Sequence, residues 1–339
     1  MQVEQSPRVE GIRTAAAIVV VIAGLKLGSV VLIPILMAGF FAMALMPLAV
    51  RLEGKGLPAW LATILSFVLG ALLIFMMGYL VASSLTDVRD ALPRYGARLD
   101  EIMNEAEVWL TGKGIDLGEE GLDGFFEPED LLGYVQSFVM SLAGVLQQSV
   151  VVILIMLFML FERSVMTGSV RGDASADRKK AILQRIAKSV TDYLSVKTVV
   201  SLITGLLFGL YCWWLGVDFP MLWGLLAFLL NYIPTIGSII ACIPPALIAL
   251  VQFGWDKALL VVVGNVLVNS TLGNVIEPKI MGNKVGLSAL TIFVGLLFWS
   301  WVFGPVGALL SVPLTIIVKM LLEPANDSAP SPSTDETPA

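Results

Sequence analysis

The sequence contains no histidine and only two cysteines, Cys212 and Cys242. Without histidine, both an imidazole-based catalytic triad and an HExxH zinc site are excluded. Both cysteines lie within apolar runs, so we interpret them as packing residues and not as a disulfide framework. The sequence also lacks a P-loop and a dinucleotide-binding fingerprint. We therefore expect no cofactor, no enzyme activity and no transport driven by ATP hydrolysis in this chain.

Charged residues are scarce as well. They make up 14% of the 339 residues, whereas about 25% is usual for soluble domains. Hydrophobic residues make up 57%, and the mean hydropathy is +0.87. This composition predicts an all-α polytopic membrane protein whose immediate partners are membrane lipids. The net charge of −6 does not indicate a nucleic-acid partner, because the acidic residues are concentrated in one segment.

Long apolar runs predict about six membrane spans, since one span needs about 20 apolar residues. Two are expected within 14–50, with Lys26 at the turn between them, and the others at about 57–82, 144–161, 198–217 and 258–275. Segment 14–25 is short for a span. It also resembles a signal peptide because Arg8 and Arg13 precede it, although no convincing cleavage site follows.

Two further apolar stretches, 219–253 and 288–320, are too long for one span and too short for two spans with a turn. NYIPTIG interrupts the first at 231–237, and FGPVG interrupts the second at 303–307. Proline breaks a helix and glycine permits a tight turn. We predict two re-entrant helical hairpins, with eight spans as the alternative. The shared GLL–Pro–Gly spacing also predicts an internal repeat. The charge pattern described next opens the first hairpin from outside and the second from inside, so the predicted repeat is inverted.

Charge asymmetry orients these spans. Loop 85–143 carries 4 basic and 13 acidic side chains, and loop 162–197 carries 8 basic and 4 acidic ones. The excess of basic residues places the second loop in the cytoplasm, and counting spans places the first loop outside and both termini inside. The predicted organisation is N-terminal spans at 1–84, an extramembrane helical insertion at 85–143, a span plus a basic cytoplasmic helix at 144–197, a transport core with both broken hairpins at 198–322, and a disordered tail at 323–339.

Two amphipathic helices are predicted outside the bilayer. In 85–110 an apolar stripe recurs every three or four residues, which favours either packing onto the rest of the loop or association with a second copy of the chain. In 178–194 an apolar stripe beside basic residues predicts a helix on the inner membrane surface.

Polar residues inside the apolar regions are the candidates for a transport pathway. Asn265 and Asn269 share one helical face, and Glu277 follows two turns later. Asparagines in membrane helices also link neighbouring helices, and Glu277 could simply pair with Lys279 at the surface before Pro278 ends the span. The predicted substrate or ion pathway comprises Asn231, Pro234, Thr235, Gly237, Asn265, Asn269, Glu277, Gly304, Pro305 and Gly307. No metal site is predicted.

Three stretches, NYIPTIGSIIACIPP, NVIEPKIMGNKVGLSALTIF and WSWVFGPVGALLSVPLTIIVK, together resemble the signature of the autoinducer-2 exporter family of permeases. The motifs are N-x-I-P-x-x-G, E-P-x-x-M-G and G-P-x-G followed by V-P-L. The resemblance covers about 198–320 strongly and the earlier spans in order and spacing. It implies secondary transport in the bacterial inner membrane, of autoinducer-2 or of Na⁺ or Li⁺ exchanged for H⁺. It also implies a homo-oligomer, with a pentamer as one form.

Three classes of function remain open from the sequence. A secondary transporter is favoured by the two opposed hairpins and the intramembrane amides. A channel-like pore would need a continuous polar stripe, which the early spans lack. A non-transporting oligomeric scaffold would rely on the stripe at 85–110.

Overall fold

The computed structural model describes residues 7–114, 149–166, 174–281 and 286–322, together with a few isolated positions between 133 and 140. Within these residues the chain forms helices and no strand, which confirms the predicted all-α class. The helices are α1 (Pro7–Leu27), α2 (Ser29–Gly54), α3 (Ala59–Gly112), α4 (Ser149–Met166), α5 (Ala174–Leu215), α6 (Pro220–Leu230), α7 (Ile236–Phe253), α8 (Trp255–Asn269), α9 (Glu277–Met281), α10 (Ala289–Leu309) and α11 (Ser311–Leu322). Most of the predicted insertion beyond residue 114 and all of the predicted tail at 323–339 lie outside these residues.

Six helical stretches in the described part of the chain are long and apolar enough to cross a membrane: 29–54, 59–91, 181–215, 236–253, 255–280 and 289–309. The number agrees with the prediction, but the set differs. The long arm of each predicted hairpin is among them, whereas the predicted span at 144–161 begins outside the described residues and so stays a prediction. The short arms, α6 and α11, hold 11 and 12 residues, about 16–18 Å of helix, which is roughly half of a bilayer core.

The predicted turn at Lys26 is not present. The amide of Gly28 donates to the carbonyl of Gly24 at 2.8 Å, and the amide of Leu32 donates to Gly28 at 3.0 Å, so α1 continues into α2 across a kink. Helix α1 does not pack lengthwise against α2; it reaches α10 instead. The ammonium of Lys26 lies 3.8 Å from the centre of the Trp301 ring on α10. This cation–π contact stabilises the charge at a position that we had assigned to a turn.

Two helices run through the boundaries predicted at 84/85 and 197/198. Helix α3 has 54 residues and α5 has 42, so each helix extends well beyond the limits of the predicted spans at 57–82 and 198–217. The apolar face of α5 packs on protein rather than on the membrane surface, because Ile186, Val190 and Leu194 are buried in the cluster where α5 meets α2 and the second hairpin.

Two hydrophobic clusters form the core. One joins the outer part of α3 with α6, α7, α8 and the C-terminal half of α5. The other joins α2, α4, α10, α11 and the N-terminal half of α5. Because α5 contributes to both clusters, it connects the first hairpin, α6–α7, with the second hairpin, α10–α11.

Candidate functional site

The tip of the first hairpin is a strained turn. Thr235 has φ 59° and ψ −56°, and the amide of Ile236 donates to the carbonyl of Pro234 at 2.6 Å. This is a γ-turn with a positive φ, a rare form that strains a β-branched residue. Strained backbone persists only where the surrounding structure holds it, and it concentrates at functional positions.

The tip of the second hairpin has related geometry. Gly304 has φ 64° and ψ −144° and breaks α10 in front of Pro305. A Cβ atom added to Gly307 would overlap the carbonyl oxygen of Trp299, and one added to Gly237 in the first tip would overlap the carbonyl oxygen of Leu230. Both glycines are therefore needed because the incoming and outgoing helices approach closely. The matching contact at both tips is what an internal repeat would produce.

Side chains of the first tip are bonded to α5. The amide Nδ2 of Asn231 donates to Oγ of Ser201 at 2.9 Å, and the hydroxyl of Tyr232 donates to Oγ1 of Thr198 at 2.8 Å. Ser201 and Asn231 are buried. The first tip is thus fixed to one polar face of α5.

One step along α5 from these bonds lies a buried ion pair. Nζ of Lys197 donates to both carboxylate oxygens of Glu277, at 2.9 and 3.0 Å, and the two side chains are only 8% and 16% exposed. A pair this buried is costly to desolvate and needs close geometry to be stable. The partner of Glu277 in the described chain is therefore Lys197, and the surface pairing with Lys279 is not observed.

The backbone before Glu277 is a π-helix, Ser270–Ile276. The amide of Glu277 donates to the carbonyl of Leu272, and Pro278 has no amide to donate. Pro278 does not end the span as predicted, because it lies in the first turn of α9, where a missing donor is tolerated. π-Helical segments occur frequently at functional sites. Here the wider turn alters the register, so an offset calculated for a regular α-helix does not apply to Glu277.

The side-chain amides of Asn265 and Asn269 are not bonded to this face of α5. Nδ2 of Asn265 donates to the carbonyl of Ser238 at 3.0 Å, which joins α8 to α7 just beyond the first tip. Nδ2 of Asn269 donates to Oδ1 of Asn265 at 2.9 Å. These bonds agree with the alternative interpretation of asparagines as links between membrane helices. The structure brings Asn231 and Glu277 to the same helix, α5, but turns Asn265 and Asn269 toward each other and Ser238.

A cavity of about 1020 Å³ lies between α2, α3 and α4 on one side and α5 and α6 on the other. Tyr232 and Ile233 of the first tip and Phe303 and Pro305 of the second tip line it, so the cavity brings the two tips together. The cavity is apolar: among the lining residues in the described chain, Ser149, Thr198 and Tyr232 carry the hydroxyl groups.

A hydrogen bond also joins α3 to the segment just before the first hairpin. The hydroxyl of Tyr95, on α3, donates to a carboxylate oxygen of Asp218 at 2.5 Å. Burial and the neighbouring Asp218 carboxylate raise the pKa of Tyr95 well above its usual range, so it remains a donor. Val88 and Tyr95 of the predicted stripe are buried against the first cluster, so this part of the stripe packs within the subunit.

Lys197, Thr198 and Ser201 were not among the predicted pathway residues. Lys197 was counted with the basic loop, although Tyr193, Lys197, Ser201 and Thr204 recur at spacings of four and three. That spacing puts polar groups on one face of a helix entering the membrane, which is the signal that could have identified them. Across the part of the chain that the structure describes, no group of three or more Cys, Asp or Glu side chains could hold a metal ion.

A family model for AI-2E family transporters matches residues 16–327. The AI-2 transport protein TqsA of Escherichia coli (strain K12) is 37% identical over 308 residues, 90% of this chain and 89% of TqsA. A protein of Haemophilus influenzae is 34% identical over 323 residues, covering 93% of this chain and 92% of the relative. YhhT of Escherichia coli (strain K12) is 32% identical over 310 residues, covering 91% and 88%.

These matches agree with the resemblance inferred from the three motifs, and with the six apolar helices they indicate a multi-pass protein of the inner membrane. The match spans both hairpins, α5 and the Lys197–Glu277 pair. The chain belongs to the AI-2E transporter family of membrane permeases.

Proposed function

We propose that this protein is a secondary transporter that exports a small polar molecule, similar to autoinducer-2, or exchanges a cation such as Na⁺ or Li⁺ for H⁺. The observation that carries the proposal is the buried Lys197–Glu277 pair beside the first hairpin tip. Ionisable residues at membrane depth are rare and mark transport pathways by default. The similarity to TqsA, an AI-2 transport protein, supports the choice of solute.

The pair supplies a coupling mechanism. The Glu277 carboxylate can hold Lys197, a proton or a solute cation, but a proton or cation that binds it displaces the ammonium. The released Lys197 ammonium can then donate to an oxygen of a polar solute. Thr198 and Ser201, which bind the first tip, are one and four residues further along the same helix. When a proton or cation replaces Lys197 at Glu277, the charge therefore changes on the face of α5 to which the first hairpin tip is bonded.

The test is flux into proteoliposomes with an imposed pH gradient, with autoinducer-2 or ²²Na⁺ as the solute. We expect gradient-driven flux in the wild type, loss of gradient dependence in Glu277→Gln and Lys197→Met, and near wild-type flux in the control Lys279→Gln. High flux that ignores the gradient would indicate a channel-like pore. Equal gradient-driven flux in wild type and Glu277→Gln at matched protein amounts would refute the coupling role.

We further propose that the protein works as a homo-oligomer, with a pentamer as the form implied by the family resemblance, and that both termini are cytoplasmic. Part of the stripe on α3 packs within the subunit, but Val108 and Trp109 near its end are 74% and 59% exposed. These exposed side chains offer an apolar surface for a second copy. Light scattering of the detergent-solubilised protein tests the assembly, and a purely monomeric mass would contradict it.

A further inference from the structure

The cavity between α2–α4 and α5–α6 is not used by the polar mechanism. Its walls are built from side chains such as Phe40, Leu73, Leu206 and Phe228, and such walls offer a polar solute few hydrogen-bond partners. Its volume, about 1020 Å³, is at the upper end of the about 300–1,000 Å³ found for small-molecule sites. An apolar occupant therefore fits it better than the solute does.

The depth of the cavity matches one leaflet of a bilayer. On α6 both Pro220 and Leu230 line it, which is about 16 Å at 1.5 Å per residue. On α3 the lining positions run from Gly70 to Leu80, also about 16 Å by the same measure. The hydrocarbon core of a bilayer is about 30 Å thick, so the cavity extends from one membrane surface to the middle.

The same helices identify the leaflet. Most lining residues of α2 are in its first half, those of α3 are in the second half of the predicted span 57–82, and Ser149 lies at the start of α4. All three place the cavity on the side away from the basic connection 51–56, which the charge asymmetry predicts to be the outer leaflet. The wall residues Leu206 and Met221 are 61% and 72% exposed, so the cavity opens toward the hydrocarbon.

From this depth, opening and lining, we infer that the cavity binds the acyl chain of an outer-leaflet phospholipid, with the end of the chain against Tyr232 and Pro305 at the two hairpin tips. The lipid fills the space between the α2–α4 layer and the hairpins. Its headgroup lies near Ser149, at the membrane surface. This inference does not depend on which solute the protein carries.

The experiment uses the full-length protein in vesicles of phosphatidylethanolamine and phosphatidylglycerol that contain a trace of phosphatidylethanolamine with a diazirine in the acyl chain. After irradiation, labelled peptides are mapped by mass spectrometry. We expect adducts on Met221 and Phe228 at higher yield than on Leu259, an exposed residue of α8 outside the cavity. Filling the cavity with Leu206→Trp, or separately with Leu202→Trp, should lower the cavity yield.

The expected loss is about tenfold, which corresponds to giving up the burial of about two methylene groups. The matched control is Leu207→Trp, on the same helix but outside the cavity; it should keep the wild-type yield. Equal yields on Met221 and Leu259 that neither Leu206→Trp nor Leu202→Trp changes would show ordinary boundary lipid and overturn the inference. If the cavity residues are labelled only after the protein is dissociated to monomers, a second copy of the chain fills the cavity. That result would also overturn the inference.

Discussion

Removing either member of the Lys197–Glu277 pair should destabilise the protein far more than removing both. Lys197→Met leaves the Glu277 carboxylate buried without its counter-ion, and Glu277→Leu leaves the ammonium in the same state. With side-chain exposures of 8% and 16%, each single change should cost about 3–5 kcal/mol. In Lys197→Met/Glu277→Leu the two apolar side chains pack together, so most of this loss should be recovered.

The assay is thermal unfolding in detergent, followed by intrinsic fluorescence. At about 2 °C per kcal/mol for a chain of this size, the single variants should unfold about 6–10 °C below wild type. The control cycle uses Arg98 and Glu101 on α3, whose side chains are 48% and 57% exposed, and single changes there should cost about 1 kcal/mol or less. If Lys197→Met and Glu277→Leu lose no more than the control variants, the pair is effectively solvated and the reasoning is wrong.

Three further outcomes are expected. Gly237→Ala and Gly307→Ala should each cost about 2–3 kcal/mol in the same unfolding assay, because the new Cβ meets a backbone carbonyl. The control Gly78→Ala, whose Cβ meets nothing within 4 Å, should be neutral or stabilising. Equal stability of all three variants would contradict the tip geometry. Tyr95→Phe should cost about 1.5–3 kcal/mol through loss of the bond to a charged acceptor, and the exposed Tyr79→Phe should have no effect; a silent Tyr95→Phe would mean that α3 is held by packing alone. An impermeant thiol reagent on whole cells should label Asp100→Cys but not Gln184→Cys or Gly11→Cys. The buried native cysteines, Cys212 and Cys242, should stay unreactive. Labelling of Gly11→Cys would place the N-terminus outside the cell.

The hairpin tips were predictable because their signals are local. Pro234 and Pro305 remove backbone donors, and Gly237, Gly304 and Gly307 mark turns and close approaches, so each break can be found from a few adjacent letters. The family resemblance rested on the same stretches and is confirmed. Glu277 was found for a similar reason, since a carboxylate in so apolar a region stands out.

The partner of Glu277 could not be found in this way. Lys197 is 80 residues away along the chain, and which of several basic residues meets the carboxylate depends on how α5 packs against α9. The junction at Gly28 was missed for a related reason: a lysine between apolar runs is typical of a turn, but here Trp301 on a distant helix holds Lys26. The boundaries in α3 and α5 followed a change in composition, whereas helical hydrogen bonding continues through it.

Helix α5 also has a mechanical consequence. A helix of 42 residues is a rod about 63 Å long, and it cannot bend sharply inside the bilayer without leaving backbone groups unbonded in hydrocarbon. Lys197 lies about 20 Å along this rod from Gln184. A tilt of only about 3° pivoted at Gln184 therefore moves the backbone of Lys197 by about 1 Å. That displacement is about a third of the separations of 2.9 and 3.0 Å between Lys197 and Glu277. A small tilt of the N-terminal arm of α5 is thus transmitted directly to the Lys197–Glu277 pair.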